Sequence, residues 1–224
     1  MRFTVGRKLA LAFFVVILLM VISSTIAYIQ IVGLSQRITT LVDGDFPTVR
    51  AVDEMLNGIN GSLAALRGFL LLGEDHTQAE FFKSERSLSW TDIESGMARV
   101  TAAYENTADA EDRKSFAKVQ SNLEGLRSAQ LRVEEAATKS FSSENSVDLS
   151  EAKTLLSKEA VPKSMAIREG LRQLKQNAVD RVAASRTAMM DSVALVKTTM
   201  IAATLTAVGL GGISGYFFHP LNFI

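Results

Sequence analysis

Two stretches without a single charged residue, 9–32 (LALAFFVVILLMVISSTIAYIQIV) and 198–218 (TTMIAATLTAVGLGGISGYFF), constrain this chain more than any other feature. A helix needs about 20 consecutive apolar residues to cross the roughly 30 Å hydrocarbon core of a bilayer, and both stretches reach that length. Every acidic residue of the chain lies between them. The pattern predicts two transmembrane helices holding residues 33–197, a single-domain length, on one side of a membrane, with residues 1–8 and 219–224 on the other. Arg2, Arg7 and Lys8 precede the first stretch with no acid among them, and short basic flanks mark the cytoplasmic side. The intervening segment is therefore expected outside, in the periplasm of a cell whose inner membrane the two helices cross.

A cleaved leader is the competing reading of the first stretch, because Ser23, Ser24 and Ala27 follow a basic start and an apolar core. The apolar run continues past them to Val32. Helical spacing then goes on through Ile31, Leu34, Ile38 and Leu41, which fits an anchor that leaves the membrane as one rod.

The middle segment is mildly acidic, with 24 acids against 21 bases, and carries no basic patch of the kind nucleic acid requires. With no cysteine in the chain, disulfides, thiolate nucleophiles and Cys-type metal sites are excluded. His76 and His219 have no partner at metal-ligand spacing, so neither a metal nor another cofactor is expected. No His shares a face with an acid and no Gly-rich loop follows a strand, which argues against an enzyme. The acid pairs Asp43/Asp45, Asp53/Glu54 and Glu134/Glu135 read as solvated helix faces.

Apolar residues recur at alternating spacings of three and four along four segments, the signature of helices packed side by side. The first runs through Val49, Val52, Leu56, Ile59, Leu63, Leu66 and Leu70. The second, over 78–104, runs through Phe82, Arg86, Ser89, Ile93, Met97, Val100 and Tyr104, with two polar members. The third follows Phe116, Val119, Leu123, Leu126, Gln130, Val133 and Ala137. The fourth follows Leu171, Leu174, Ala178, Val182, Ser185, Met189, Val193, Val196 and Met200 into the second apolar stretch. Pro47 predicts a kink or short break at 43–47, and Pro162 an interruption of a short helix capped by Asp148 or Ser150. Gly73 suits a left-handed cap after the first helix, with residues 106–112 and 140–146 as the later turns. No strand alternation is found. The fold class is all-α: an antiparallel up-down-up-down four-helix bundle flanked by two transmembrane helices. Residues 33–72 and 161–197 would match as rods of about 55–60 Å. In the second membrane helix, Ala203, Ala207, Gly211 and Gly215 place a small residue at every fourth position, suited to close packing against another helix.

These residues carry a resemblance. The basic start before a long apolar span, the Asp45-Phe46-Pro47-Thr48-Val49 step, and the run Leu66-Arg67-Gly68-Phe69-Leu70-Leu71 are similar to the sensory half of bacterial methyl-accepting chemotaxis receptors with a four-helix-bundle ligand-binding domain. So are Phe82-Lys83-Ser84-Glu85-Arg86, Ser89-Trp90 and the His219-Pro220-Leu221 end, where such receptors enter a HAMP linker. The resemblance implies a homodimer that binds a small ligand directly or through a periplasmic binding protein, and passes the signal inward by a slide of the fourth helix. Residues 219–224 would begin the linker. The kinase-coupling region of a full receptor lies beyond them, so a truncated product or fragment is expected, the alternative being an output partner supplied in trans. The same sensory architecture also feeds histidine kinases and cyclases, and a membrane-anchored scaffold without a small ligand is the reading from another class.

Polar interruptions of the seams gather toward the membrane-distal end: Arg67, Arg86, Gln130, Lys163 and Arg168, with Trp90 as a candidate wall. Guanidinium groups with one amide suit a carboxylate, because arginine presents a planar fork to two oxygens. By the resemblance, Arg67 matches a ligand-binding arginine of aspartate and serine receptors. The two other arginines those receptors use fall on Gly58 and Leu63. That points away from amino acids of their kind and leaves open an organic acid or a ligand delivered by a binding protein.

Overall fold

Two prolines set the course of the helices. A proline inside a helix offers no N–H, and its ring crowds the carbonyl four residues back. In the computed structural model, which describes residues 5–107, 110–143 and 148–218, neither proline ends a helix. Just before each, the backbone widens by one residue into a π turn, Leu41–Asp45 ahead of Phe46-Pro47 and Leu156–Ala160 ahead of Val161-Pro162. Phe46 N–H donates to the Leu41 carbonyl and Val161 N–H to that of Leu156. The wider turn relieves the clash while keeping the rod intact. Of the kink or short break expected at 43–47, the break does not occur, and the interruption expected at Pro162 is likewise replaced by continuous helix.

The elements are α1 (Val5–Thr40), the first π turn, α2 (Phe46–Leu72), α3 (His76–Thr107), α4 (Ala110–Phe141), α5 (Ser150–Leu155), the second π turn and α6 (Val161–Phe218). Among the described residues there is no strand. Asp75 caps α3, its carboxylate accepting the N–H groups of Thr77 and Gln78 at 2.8 and 3.1 Å. Ahead of α5, Asp148 accepts the Ser150 N–H at 2.9 Å, and that hydrogen bond holds its carboxyl below the usual range. Gly73 is right-handed (φ −74°, ψ 0°), not the left-handed cap expected of it. Its need is for room: a Cβ there would lie 2.4 Å from the Phe69 carbonyl oxygen and 2.9 Å from the Phe141 ring.

The chain forms two units, Thr40–Ala183 and the pair Met1–Thr39 with Ala184–Ile224. The first is the four-helix bundle, made of α2, α3, α4 and the bundle part of α6. Its core joins Val52, Met55 and Ile59 of α2, Ile93 and Val100 of α3, Phe116, Leu123 and Leu126 of α4, and Ile167, Leu171 and Leu174 of α6. A second cluster, Leu66, Phe69, Ala79, Val133 and Ala137, closes the end covered by α5 through Ala152. All seven seam positions expected of α4 are buried. Each large apolar side chain so placed contributes about 1.5–3 kcal/mol relative to exposure. Helices α2 and α3 approach backbone to backbone: a Cβ on Gly58 would lie 2.6 Å from the Ser89 carbonyl oxygen, and one on Gly96 2.8 Å from that of Ala51.

The second unit holds the apolar ends of α1 and α6. Phe13, Met20, Ile29, Leu205 and Val208 are exposed along them. By length and composition, the helices Phe13–Leu72 and Ser150–Thr206 each contain a segment able to cross a membrane. Ala203 is half-buried. The surroundings of Ala207, Gly211 and Gly215, and all of 219–224, lie outside what is described.

Candidate functional site

Trp90 is the hinge of the polar architecture inside the bundle. Its side chain is largely buried and its Nε1–H donates to Gln130 Oε1 on α4 at 2.8 Å. The amide nitrogen of Gln130 donates to Ser62 Oγ on α2 at 3.0 Å, and Ser62 donates to the Ile59 carbonyl. One amide thus links three helices through a chain in which each buried polar atom has a partner. That satisfies the core and holds the helices in register, because a shift along any axis would strand a donor.

Outside this chain, α3 and α4 enclose a cleft of about 210 Å³ lined by Arg86, Ser87, Trp90, Thr91 and Glu94 of α3 and by Arg127 and Leu131 of α4. The Arg127 guanidinium lies 5.3 Å from the Trp90 ring centroid, within cation–π range, and Arg127 Nη1 donates to Glu94 Oε1 at 2.6 Å. One turn before Trp90, Arg86 pairs with Glu134. The two pairs differ in burial. Arg86 and Glu134 are 13% and 19% exposed, whereas Arg127 and Glu94 are 56% and 50% exposed. Between α1 and α6, a separate groove of about 570 Å³ is lined by Ile31, Leu34, Val193, Val196 and Met200, with few polar groups to orient a ligand.

Of the residues singled out in the sequence, Arg86, Trp90 and Gln130 come together at α3 and α4. The others do not join them. Arg67 is exposed on α2 and has no ion-pair partner among the described residues. Lys163 is half-buried on α6, its side chain beside Gly125 of α4. Arg168 donates from Nη1 to Asn60 Oδ1 at 3.2 Å and from Nη2 to Ser164 Oγ at 3.0 Å. Arg127 and Glu94, which complete the cleft, were not singled out. Arg127 sits beside the seam residue Leu126, and periodicity does not say which flank of a seam turns toward α3.

A second polar cluster corrects the reading of Asp45 as part of a solvated face. Asp45, at the end of the first π turn, is 3% exposed, and Asp112, at the start of α4, is 1% exposed. Arg181 of α6 bridges them, Nε donating to Asp45 Oδ1 at 2.8 Å and Nη1 to Asp112 Oδ2 at 2.6 Å. Asn177 donates to the other Asp112 oxygen at 2.9 Å. Burial works against the charge on Arg181, but the hydrogen bonds to Asp45 and Asp112 outweigh it and raise its pKa above the ordinary arginine value. In the other two pairs Asp53 meets Lys175, Glu54 meets Arg99 and Glu134 meets Arg86, while Glu135, like Asp43, is exposed as expected. Single-residue counting along a helix missed these because each partner comes from another helix. Among the described residues no cluster of three His, Asp or Glu side chains could hold a metal.

A family model described as a four helix bundle sensory module for signal transduction matches residues 2–188. No curated protein and no solved structure matches the chain.

Proposed function

This chain belongs to the four-helix-bundle sensory modules of signal transduction, those of chemotaxis-type receptors, and from that premise we propose that it is the sensory region of a transmembrane receptor. In this reading the bundle stands in the periplasm between two spans of the inner membrane, binds a small organic acid, and works as a homodimer. Output passes to a cytoplasmic signalling region that controls a kinase.

The observation that carries the reading is the build of α6. It is one helix, Val161–Phe218. Its first part is anchored in the bundle core by Ile167, Leu171, Leu174 and Ala178, and its last part is free of charge and long enough for a bilayer. A helix resists axial compression, so a displacement of about 1–2 Å at the bundle end is delivered at the other. The α3–α4 cleft supplies what a ligand site needs: a concave surface, two guanidinium groups and an aromatic wall.

Topology and ligand binding are tested separately. Because the natural chain has no cysteine, single introduced cysteines report their own side of the membrane. In intact cells a membrane-impermeant maleimide is expected to label Ser121→Cys in the bundle and to leave Thr4→Cys unlabelled; the reverse pattern overturns the orientation. Full-length protein in lipid nanodiscs is then screened by thermal shift against organic acids and amino acids, since a ligand that binds only the folded state raises the melting temperature. No shift across the panel would favour a scaffold without a small ligand.

A further inference from the structure

We propose that the α3–α4 cleft selects a monoanion, a small monocarboxylate, and that it does so by exchanging the Glu94 carboxylate on Arg127 for that of the ligand. The inference rests on the receptor reading above and names the charge of the ligand and the residue that recognises it.

The cleft as it stands is electrically closed, two arginines against two glutamates. The two pairs are not equally easy to open. Arg86 and Glu134 are mostly buried, and separating them would leave a charge uncompensated in a poorly solvated place. Arg127 and Glu94 are half exposed. An ion pair of that kind contributes little, and its carboxylate finds water as soon as it turns away. Arg127 is therefore the arginine that becomes available, and Arg86 stays committed to Glu134.

With Glu94 turned to solvent, the cleft holds Arg127, Arg86 and Glu134, a net charge of +1. One ligand carboxylate balances it and fits the planar fork of Arg127. A second carboxylate would face Glu134 with no free cation. The adjoining groove past Leu131 offers none either, because its Lys83 is already bound to Glu80 and its Lys139 is balanced by Glu135 in the same groove. The remaining wall is mixed: Leu131, 52% exposed, shares the cleft with the edge of Trp90 and the hydroxyls of Ser87 and Thr91. A volume of about 210 Å³ is below the roughly 300 Å³ at which drug-sized sites begin, which limits the rest of the ligand to a short chain or one ring.

The test uses full-length protein in nanodiscs and isothermal titration at matched ionic strength. Propionate and benzoate are the monoanion probes, and malonate and succinate the dianion probes. The monoanions are expected to bind at least about tenfold more tightly than the dianions. Arg127→Gln should weaken them by about tenfold or more, the scale of a lost charge-assisted hydrogen bond. Arg127→Lys, which keeps the charge without the fork, should lose less, and Glu94→Gln should bind several-fold more tightly because the internal competitor is gone. Arg67→Gln should change nothing. If the dianions bind as well as the monoanions, or Arg127→Gln leaves affinity unchanged while circular dichroism shows it folded, the inference is overturned and the receptor reading stands. If none of the four probes binds, the inference is overturned too, and the receptor reading is then decided by the wider ligand screen and by cysteine labelling.

Discussion

Lys175 Nζ on α6 stands 2.7 and 2.9 Å from the two carboxylate oxygens of Asp53 on α2. One heptad along each helix, from 175 to 168 and from 53 to 60, Arg168 reaches Asn60. In the other direction Arg181 reaches Asp45. The α2–α6 flank is thus tied at intervals by long, flexible side chains on α6 and short acceptors on the α2 side. Such ties can follow an axial shift of about 1–2 Å but not one of a full turn, about 5.4 Å. The ties differ in strength with their burial.

The Lys175–Asp53 pair is exposed enough to be screened, at 37% and 47%. A double-mutant cycle with Lys175→Met and Asp53→Asn should return a coupling of about 0.2–1 kcal/mol, read from chemical unfolding of the full chain in detergent micelles. Raising the salt concentration should shrink it.

Arg181 should behave differently. Arg181→Gln leaves Asp45 and Asp112 buried without their cation, and the loss should be about 3 kcal/mol or more, as for other broken buried pairs. Adding Asp112→Asn to Arg181→Gln should recover part of it by removing one stranded charge. A double variant no better than the single one would mean that the charge of Asp112 does not depend on Arg181.

Gln130→Leu removes the acceptor of the Trp90 indole and a donor to Ser62. The expected cost is about 1–3 kcal/mol for the stranded groups. Trp90 is the single tryptophan of the chain, so its fluorescence reports the site directly. The emission should change in the folded variant, and an unchanged spectrum with unchanged stability would contradict the hydrogen-bond chain.

Two glycine substitutions should move in opposite directions. Gly58→Ala places a Cβ 2.6 Å from the backbone oxygen of Ser89. The two helices must then part, at a cost of about 1–3 kcal/mol that exceeds the helix-propensity gain. Gly33→Ala meets nothing within 4 Å, so it should stabilise its helix by about 0.5–1 kcal/mol. Thermal unfolding of both variants in the same micelles measures the contrast.

Much of the fold could be read from the order of residues, because burial in a bundle is periodic and charge is excluded from a bilayer. The α4 seam from Phe116 to Ala137 lies inside as its spacing requires, and the apolar stretches mark two helices able to span a membrane. Proline chemistry was legible only in part. Pro47 and Pro162 announced a disturbance, but whether a helix breaks or takes up an extra residue depends on what its neighbours hold in place. The polar pairing was hidden almost entirely. Asp45, Asp112 and Arg181 are distant along the chain, Arg127 and Glu94 belong to different helices, and Gly58 looks like any other helix glycine until Ser89 is beside it. Periodicity tells each helix which stripe turns inward, a local property of the backbone. Which carboxylate meets which guanidinium depends on how four such stripes are aligned along the bundle axis, and that alignment arises when their side chains pack together.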